Sequence, residues 1–116
     1  MAFVDVQGRL EHMLDAIEWT ERLTAGKTIV DYRRERPTRD AVERNLERIS
    51  EASRHLPDTL KATHPLIAWS DLAKLGNRLR HGYDTIDDAL IWNMVEHELP
   101  ALRHAVEQML TTVKGN

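Results

Sequence analysis

The sequence contains no cysteine, which excludes disulfide bonds, a thiolate nucleophile and any zinc or iron–sulfur site with cysteine ligands. It also lacks a run of roughly 18 apolar residues of the kind that crosses a membrane. Its N-terminal residues show no basic start followed by an apolar stretch, so we expect no signal peptide. These absences predict a soluble protein of the cytoplasm.

Glycine, proline and aromatic residues are scarce, which favours a few long helices over a fold of short strands. With five glycines and four prolines the chain can build few tight turns. Three tryptophans, two tyrosines and one phenylalanine leave a core made mostly of Leu, Ile, Val, Ala and Met, which suits packed helices. The length of 116 residues fits a single domain, residues 1–116.

Apolar residues at spacings of three and four predict four main helices, and therefore an all-α bundle. The first should run from about Asp5 to Leu23, and the second from an N-cap at Thr38 to a stop near Pro57. The alternating charges on the outer face of the second helix are typical of an ordinary solvated surface. Short helical turns or loops are expected at 28–32 and 57–65.

The third helix should begin at a Ser70 cap and end near Gly82, a residue type favoured just past a helix terminus. The last helix carries an apolar stripe from Ile91 to Val113. Pro100 falls inside it, so we expect a kink or two abutting helices there.

Several motifs of known chemistry are missing. The chain has no phosphate-binding glycine loop and no G-x-S-x-G elbow. His97 and Glu98 begin like a zinc-binding H-E-x-x-H pair, but Ala101 occupies the position of the second histidine. We therefore predict no metal site and no cofactor.

Residues 72–83 form a basic segment in a chain whose net charge is −3. They include Lys74, Arg78, Arg80 and His81 and no acidic residue. Histidine is the side chain that ordinarily exchanges protons near neutral pH, and arginine and lysine bind phosphodiesters and offset charge that develops on them. These are the groups that a metal-independent ribonuclease needs.

The helical periodicity places these groups relative to the core. Lys74, Asn77 and His81 share one face, while Leu75 and Leu79 face inward, so the polar set points away from the core. The alternative interpretation is a basic helix C-terminus that complements the helix dipole, worth about 0.3–1 kcal/mol per residue.

A second basic cluster, formed by Arg33, Arg34, Arg36 and Arg39, precedes the second long helix. Its charge fits contacts along an RNA backbone. A solvated loop with interspersed acidic residues explains the same pattern.

Three segments of the chain resemble the HepT-like toxin family of the HEPN superfamily. They are DAVERNLERISEASRHLP (40–57), HPLIAWSDLAKLGNRLRHGYDTID (64–87) and IWNMVEHELPALRHAVEQML (91–110). The resemblance implies an up-and-down helical bundle that forms a homodimer, in which two copies of a motif line one RNA-binding cleft. It also implies a metal-independent endoribonuclease toxin, partnered by a minimal nucleotidyltransferase antitoxin.

The family motif is an arginine, four to six residues, a histidine, one residue and a tyrosine. The histidine corresponds to His81 and the tyrosine to Tyr83, which the resemblance makes the acceptor of AMP groups that silence the toxin. A bulky anionic adduct two residues from His81 would repel an RNA phosphate. Gly76 stands where the family usually has arginine, although Asn77 matches. Arg80 lies nearly on the same helix face as position 76, so it is a better candidate than Arg78 for the cation that replaces this arginine.

Three hypotheses follow. In the first, His81 is the general base, Arg80, Arg78 and Asn77 are phosphate ligands, and Lys74 binds RNA. Arg78 of the opposing protomer is the alternative to Arg80 as the cation that replaces the missing arginine. Three arginines of the second basic cluster bind RNA as well, namely Arg33, Arg34 and Arg36. In the second, the chain is a non-catalytic nucleotide- or protein-binding partner, or substrate, of a nucleotidyltransferase. In the third, the basic segment serves only stability.

The three tryptophans bear on dimerisation. Trp19, Trp69 and Trp92 are large for so small a core, so one or more could be shared across an interface; burial within the protomer is the equal alternative.

Overall fold

The computed structural model describes residues 5–82 and 86–115, and every regular element in these two ranges is helical. In chain order the elements are α1 (Val6–Thr24), α2 (Ile29–Arg34), α3 (Arg36–Arg54), α4 (Asp58–Lys61), α5 (Trp69–His81), α6 (Asp88–Asn93), a π-helical turn (Met94–Glu98) and α7 (Leu99–Gly115). Because α6, the π turn and α7 are continuous, four long helical segments dominate. The predicted all-α bundle of four main helices is confirmed.

Both ends of α1 follow from local chemistry. Asp5 adopts a left-handed conformation (φ 90°) and its carboxylate accepts a hydrogen bond from the Gly8 amide at 3.1 Å, which caps the first turn. The helix ends at Thr24, and Gly26 then takes a φ of 73°, which a residue without Cβ adopts at little cost. The predicted bounds of this helix are confirmed to within one residue.

The predicted cap of α3 is wrong. The helix begins at Arg36, and Pro37 lies in its first turn, where a residue without an amide hydrogen is tolerated. Thr38 is therefore inside the helix, and its hydroxyl donates to the Glu35 carboxylate at 2.9 Å. Lys27 Nζ reaches the same carboxylate at 2.5 Å, and these two hydrogen bonds hold the pKa of Glu35 below its usual value.

The predicted cap of α5 is also wrong. This helix begins at Trp69, and its N-cap, Ala68, offers no side-chain hydrogen bond, so Ser70 is already helical. Instead of a cap, the Trp69 indole nitrogen anchors the start of α5 by donating to the carbonyls of Lys61 at 3.1 Å and His64 at 3.2 Å. The end at His81, followed by Gly82, is as predicted.

The π turn explains how the last helix accommodates Pro100. Proline lacks an amide hydrogen, and in a regular helix its ring crowds the carbonyl four residues earlier, here Glu96. That carbonyl lies in the π turn, where the wider backbone relieves the crowding. The expected pair of abutting helices is therefore absent: the helix continues through Pro100, and its irregular turn precedes the proline.

The long helices pack in the order α5, α3, α1 and α7, with α3 and α1 in the middle. Their buried apolar residues form one core. Fully buried members include Leu10, Met13, Ile17, Val42, Leu46, Ile49, Leu99 and Val106. At the edge of this core, Arg103 of α7 contacts Glu18 at 3.1 Å and Glu21, and so ties α7 to α1.

The tryptophans differ in their surroundings. Trp92 is buried within the protomer, where its ring lies 5.4 Å from that of Tyr32, and Trp69 is half-buried. Trp19 is 49% exposed, with the Arg22 guanidinium stacked 5.2 Å from its ring centre. Intraprotomer packing thus accounts for Trp92, whereas Trp19 remains available on the surface.

Near Tyr32, the ends of α2, α3 and α6 gather acidic residues around half-buried Glu43 of α3. Burial raises the pKa of Glu43, and the negative charges of Asp40 and Asp88 raise it further. The Tyr32 hydroxyl is buried, with no hydrogen-bond partner among the described residues, and burial raises its pKa as well. Glu43 is therefore not part of an ordinary solvated face.

No helix within the described residues is both long enough and apolar enough to cross a membrane.

Candidate functional site

Helix α5 presents a polar face that we call the α5 face: Lys74, Asn77, Arg78 and His81. All four are exposed, because Leu72, Leu75 and Leu79 of the same helix are buried against the core. At about 100° per residue, the four polar residues fall within an arc of about 100°. The structure therefore groups one histidine, two cations and one amide on a single solvent-facing surface.

Arg80 points in another direction, toward α3. Its guanidinium Nη1 lies 3.6 Å from Glu51 Oε1, while the other oxygen of that carboxylate contacts His55 Nε2 at 3.0 Å. The hydrogen bond with His55, together with the charges of His55, Arg54 and Arg80, lowers the pKa of Glu51. Arg80 therefore faces an ionised carboxylate and is separated from the α5 face by the curvature of the helix.

Gly76 lies where α5 crosses α3 and is buried against Ser50. A Cβ added at Gly76 would lie 2.0 Å from Ser50 Oγ and 2.4 Å from Ser50 Cβ. The Ser50 hydroxyl is itself buried and has no hydrogen-bond partner among the described residues. The two helices approach too closely for any side chain at position 76, so in this packing an arginine there has no room.

An open groove of about 630 Å³ runs beside the α5 face, between α5 and the continuous α6–α7 segment. Lys74 and Arg78 line one side of it, and His97 of the π turn lies on the other. Leu66 and Leu90, both exposed, add apolar surface at its edge. Asp71 and Glu98 line it as well, so the groove combines charged residues of both signs with an apolar lining.

The second basic cluster is helical rather than a loop. Arg33 and Arg34 end α2, Arg36 begins α3 and lies 3.6 Å from Asp40, and all three arginines are exposed. Arg39 donates to backbone carbonyls at the end of α2 and is thereby used structurally. This cluster therefore belongs to α2 and α3, and α2 packs against α3 and α6. The α5 face lies on a different helix.

Tyr83, the remaining candidate residue, lies outside the described residues. Among those that are described, no group of three or more His, Asp or Glu side chains is arranged to hold a metal ion.

Two partners of the basic segment, Ser50 and Glu51, were not predicted from the sequence. A pairing of Glu51 with His55 could have been read from their i, i+4 spacing on a helix. The contacts with Gly76 and Arg80 depend on how α3 crosses α5, and no local pattern reports that crossing.

Comparison with known proteins gives a consistent result. The family described as "Ribonuclease HepT-like" matches residues 13–109. The chain is 34% identical over 100 residues to "Probable ribonuclease HepT" of Thermococcus cleftensis, which covers 86% of this chain and 91% of that protein. It is 31% identical over 106 residues to "Putative RNase MJ0127" of Methanocaldococcus jannaschii, covering 91% and 84% respectively. No solved structure gives a significant match.

Proposed function

Since the chain belongs to the HepT-like ribonuclease family, we propose that it is a metal-independent endoribonuclease whose chemistry takes place at the α5 face. The observation that carries this proposal is the grouping of His81 with Lys74, Asn77 and Arg78 on one exposed surface. Base, cations and amide donor are then available to one phosphodiester without a metal ion.

Each of these side chains has a role in the proposed reaction. Neutral His81 takes the proton from a 2′-hydroxyl, and the oxygen attacks the adjacent phosphorus. The bond to the 5′-oxygen breaks, and that oxygen takes a proton from solvent water, giving a 2′,3′-cyclic phosphate and a 5′-hydroxyl end. Arg78 and Lys74 bind the non-bridging oxygens and Asn77 donates a hydrogen bond, so that the charge of the phosphorane is stabilised.

Arginines outside the α5 face hold the rest of the substrate. Arg80, oriented by Glu51, contacts the RNA from the α3 side of the helix. Arg33, Arg34 and Arg36 bind the RNA backbone, since exposed arginines release counterions from phosphates and add affinity without reading the sequence.

The proposed active form is a homodimer, as the family resemblance implies. The α5 face is an exposed, convex surface, so one protomer contacts an RNA strand from one side only. A second protomer would close a cleft around the strand. The exposed Leu66 and Leu90 beside this face support the proposal, because apolar surface next to a polar site is typical of an interface.

We propose further that the protein is a cytoplasmic toxin whose cognate antitoxin is a minimal nucleotidyltransferase. Transfer of AMP to Tyr83 would place a bulky anion two residues from His81. That adduct repels the RNA phosphate and stops cleavage.

Incubation of the purified, unmodified protein with RNA in excess EDTA tests the catalytic proposal. We expect cleavage with 2′,3′-cyclic phosphate ends, and loss of cleavage in His81→Ala. His104→Ala, which removes an exposed histidine of α7 outside both grooves, is the matched control and should cut like the parent chain. Absence of cutting by the parent dimer in EDTA would contradict the proposal.

The packing at Gly76 favours a second candidate function. The family arginine is missing there and Ser50 leaves no space for it, which is the situation expected of a non-catalytic binding partner or substrate of a nucleotidyltransferase. This candidate predicts addition of AMP without nuclease activity. The intact mass, measured after incubation with the partner and ATP and compared with Tyr83→Phe, distinguishes the two.

A further inference from the structure

A second groove, which we call the α1–α3 groove, lies between α1 and α3, with Arg80 of α5 also in its lining. Its volume is about 660 Å³, within the range of roughly 300–1,000 Å³ that is usual for ligand sites. Two buried alanines, Ala16 of α1 and Ala52 of α3, lie at its base. Because their side chains are short, the helices leave an open channel between the longer residues on either side.

The walls of this groove are rich in arginine. Arg9 comes from α1, Arg44 and Arg48 from α3, and Arg80 from α5. Arg44 and Arg48 are exposed, as the sequence pattern of α3 predicted, and they line a concave surface that α1 completes.

The charges in the groove are unevenly compensated. Four arginines face three carboxylates, those of Asp15, Glu47 and Glu51, so the groove carries an excess of one positive charge in a chain of net charge −3. Arg44 pairs with Glu47 at 3.7 Å, and Arg80 with Glu51 at 3.6 Å. Within residues 5–82 and 86–115, neither Arg9 nor Arg48 forms an ion pair or a side-chain hydrogen bond.

The positions of three arginines in the groove indicate an anionic ligand. Arg44 and Arg48 are four residues apart on α3, a spacing at which like charges oppose helix formation. Arg9 faces them from α1, so that three guanidinium groups line the same channel. An anion bound between them offsets this repulsion and supplies acceptors for the donors of Arg9 and Arg48.

Arg80 connects this groove to the α5 face. It lines the groove while its neighbour in the chain, His81, belongs to that face. A strand whose scissile phosphate lies at His81 can therefore pass Arg80 and continue into the α1–α3 groove. An RNA backbone is the ligand that supplies phosphates to both places.

We propose that the α1–α3 groove binds a phosphate of the same RNA strand that is held at the α5 face, with Arg9 and Arg48 as its ligands. This inference rests on the proposed ribonuclease function. Contacts of this kind position a strand and add affinity without reading its sequence.

The test measures binding of a single-stranded RNA oligonucleotide to full-length His81→Ala protein by fluorescence anisotropy at several salt concentrations. Adding Arg9→Gln and Arg48→Gln should weaken binding about tenfold. The slope of log K against log salt should decrease in magnitude by about 0.7, the value for one phosphate contact to a single strand. Lysine at both positions should retain most of the slope, because the charge remains.

Arg22→Gln with Lys114→Gln is the matched control, since it removes the same charge from exposed positions of α1 and α7 outside the groove. Equal affinity and slope in the groove variant and this control would overturn the inference and leave the proposed function intact. If the groove variant lost binding of free AMP but bound the RNA oligonucleotide as tightly as before, the groove would be a mononucleotide site. That result would also overturn the inference. If the His81→Ala protein bound no RNA and the parent chain cut none, both proposals would fail together.

Discussion

The contact between Gly76 and Ser50 makes a sharp prediction about stability. In Gly76→Ala, the new Cβ would lie 2.4 Å from Ser50 Cβ, a carbon attached directly to the backbone of α3. The helices must therefore move apart, and overpacking of this kind typically costs about 1–3 kcal/mol. Because the approach is so close, we take the upper end of that range.

Alanine also favours a helix over glycine by about 1 kcal/mol, which offsets part of this cost. The net expectation for Gly76→Ala is a loss of about 2 kcal/mol in the free energy of unfolding. For a chain of this size that corresponds to a decrease in Tm of roughly 8 °C. Urea denaturation with a common m-value, checked by thermal unfolding, measures both.

Substitutions at Ser50 provide the control. Ser50→Ala removes a buried hydroxyl that lacks a partner and introduces a better helix former, so we expect it to stabilise the fold by about 1 kcal/mol. Ser50→Ala should rescue Gly76→Ala only in part, since the contact between the two Cβ atoms remains. A Gly76→Ala variant as stable as the parent chain would refute the close approach of α3 and α5.

Two further predictions concern charge. Burial raises the pKa of Glu43 above its unfolded value, so its charged form destabilises the fold at neutral pH. Glu43→Gln should therefore stabilise the protein at pH 7. Urea titrations should show this gain disappear below about pH 4, where the carboxyl is protonated in both states. The exposed Glu96→Gln is its control, and an equal effect of the two would contradict the argument. Arg103→Gln, which removes the contacts with Glu18 and Glu21, should cost about 1 kcal/mol or less at low salt and less still in 1 M NaCl. A loss independent of salt would instead indicate that packing of the Arg103 side chain matters.

Much of the fold was predictable because it depends on local patterns. The apolar spacing along α1 and α5 identified both helices, their buried faces and the solvent-facing direction of His81. Gly26 and Gly82 indicated helix ends because glycine lacks a Cβ, a property of the residue itself that does not depend on tertiary contacts. The start of α3 was predicted wrongly. Proline is tolerated in the first turn of a helix, so α3 includes Pro37 and does not begin with Thr38 as its N-cap.

The candidate site was predictable only in part, since its details depend on contacts between helices. Periodicity brought Lys74, Asn77 and His81 together, but it could not show that Glu51 meets Arg80 or that Ser50 fills the space beside Gly76. It likewise could not show that two arginines of α3 line a channel with Arg9 of α1.

The central claim is that His81 and the cations beside it cleave RNA without a metal ion. The most direct measurement follows the cleavage of a single-stranded RNA by the purified protein in excess EDTA, in parallel with His81→Ala and Arg78→Ala. We expect cyclic-phosphate products from the parent chain, none from His81→Ala, and a rate lower by roughly 10²-fold or more for Arg78→Ala. Cleavage that persists in His81→Ala, or that stops in EDTA with the parent chain, would contradict it.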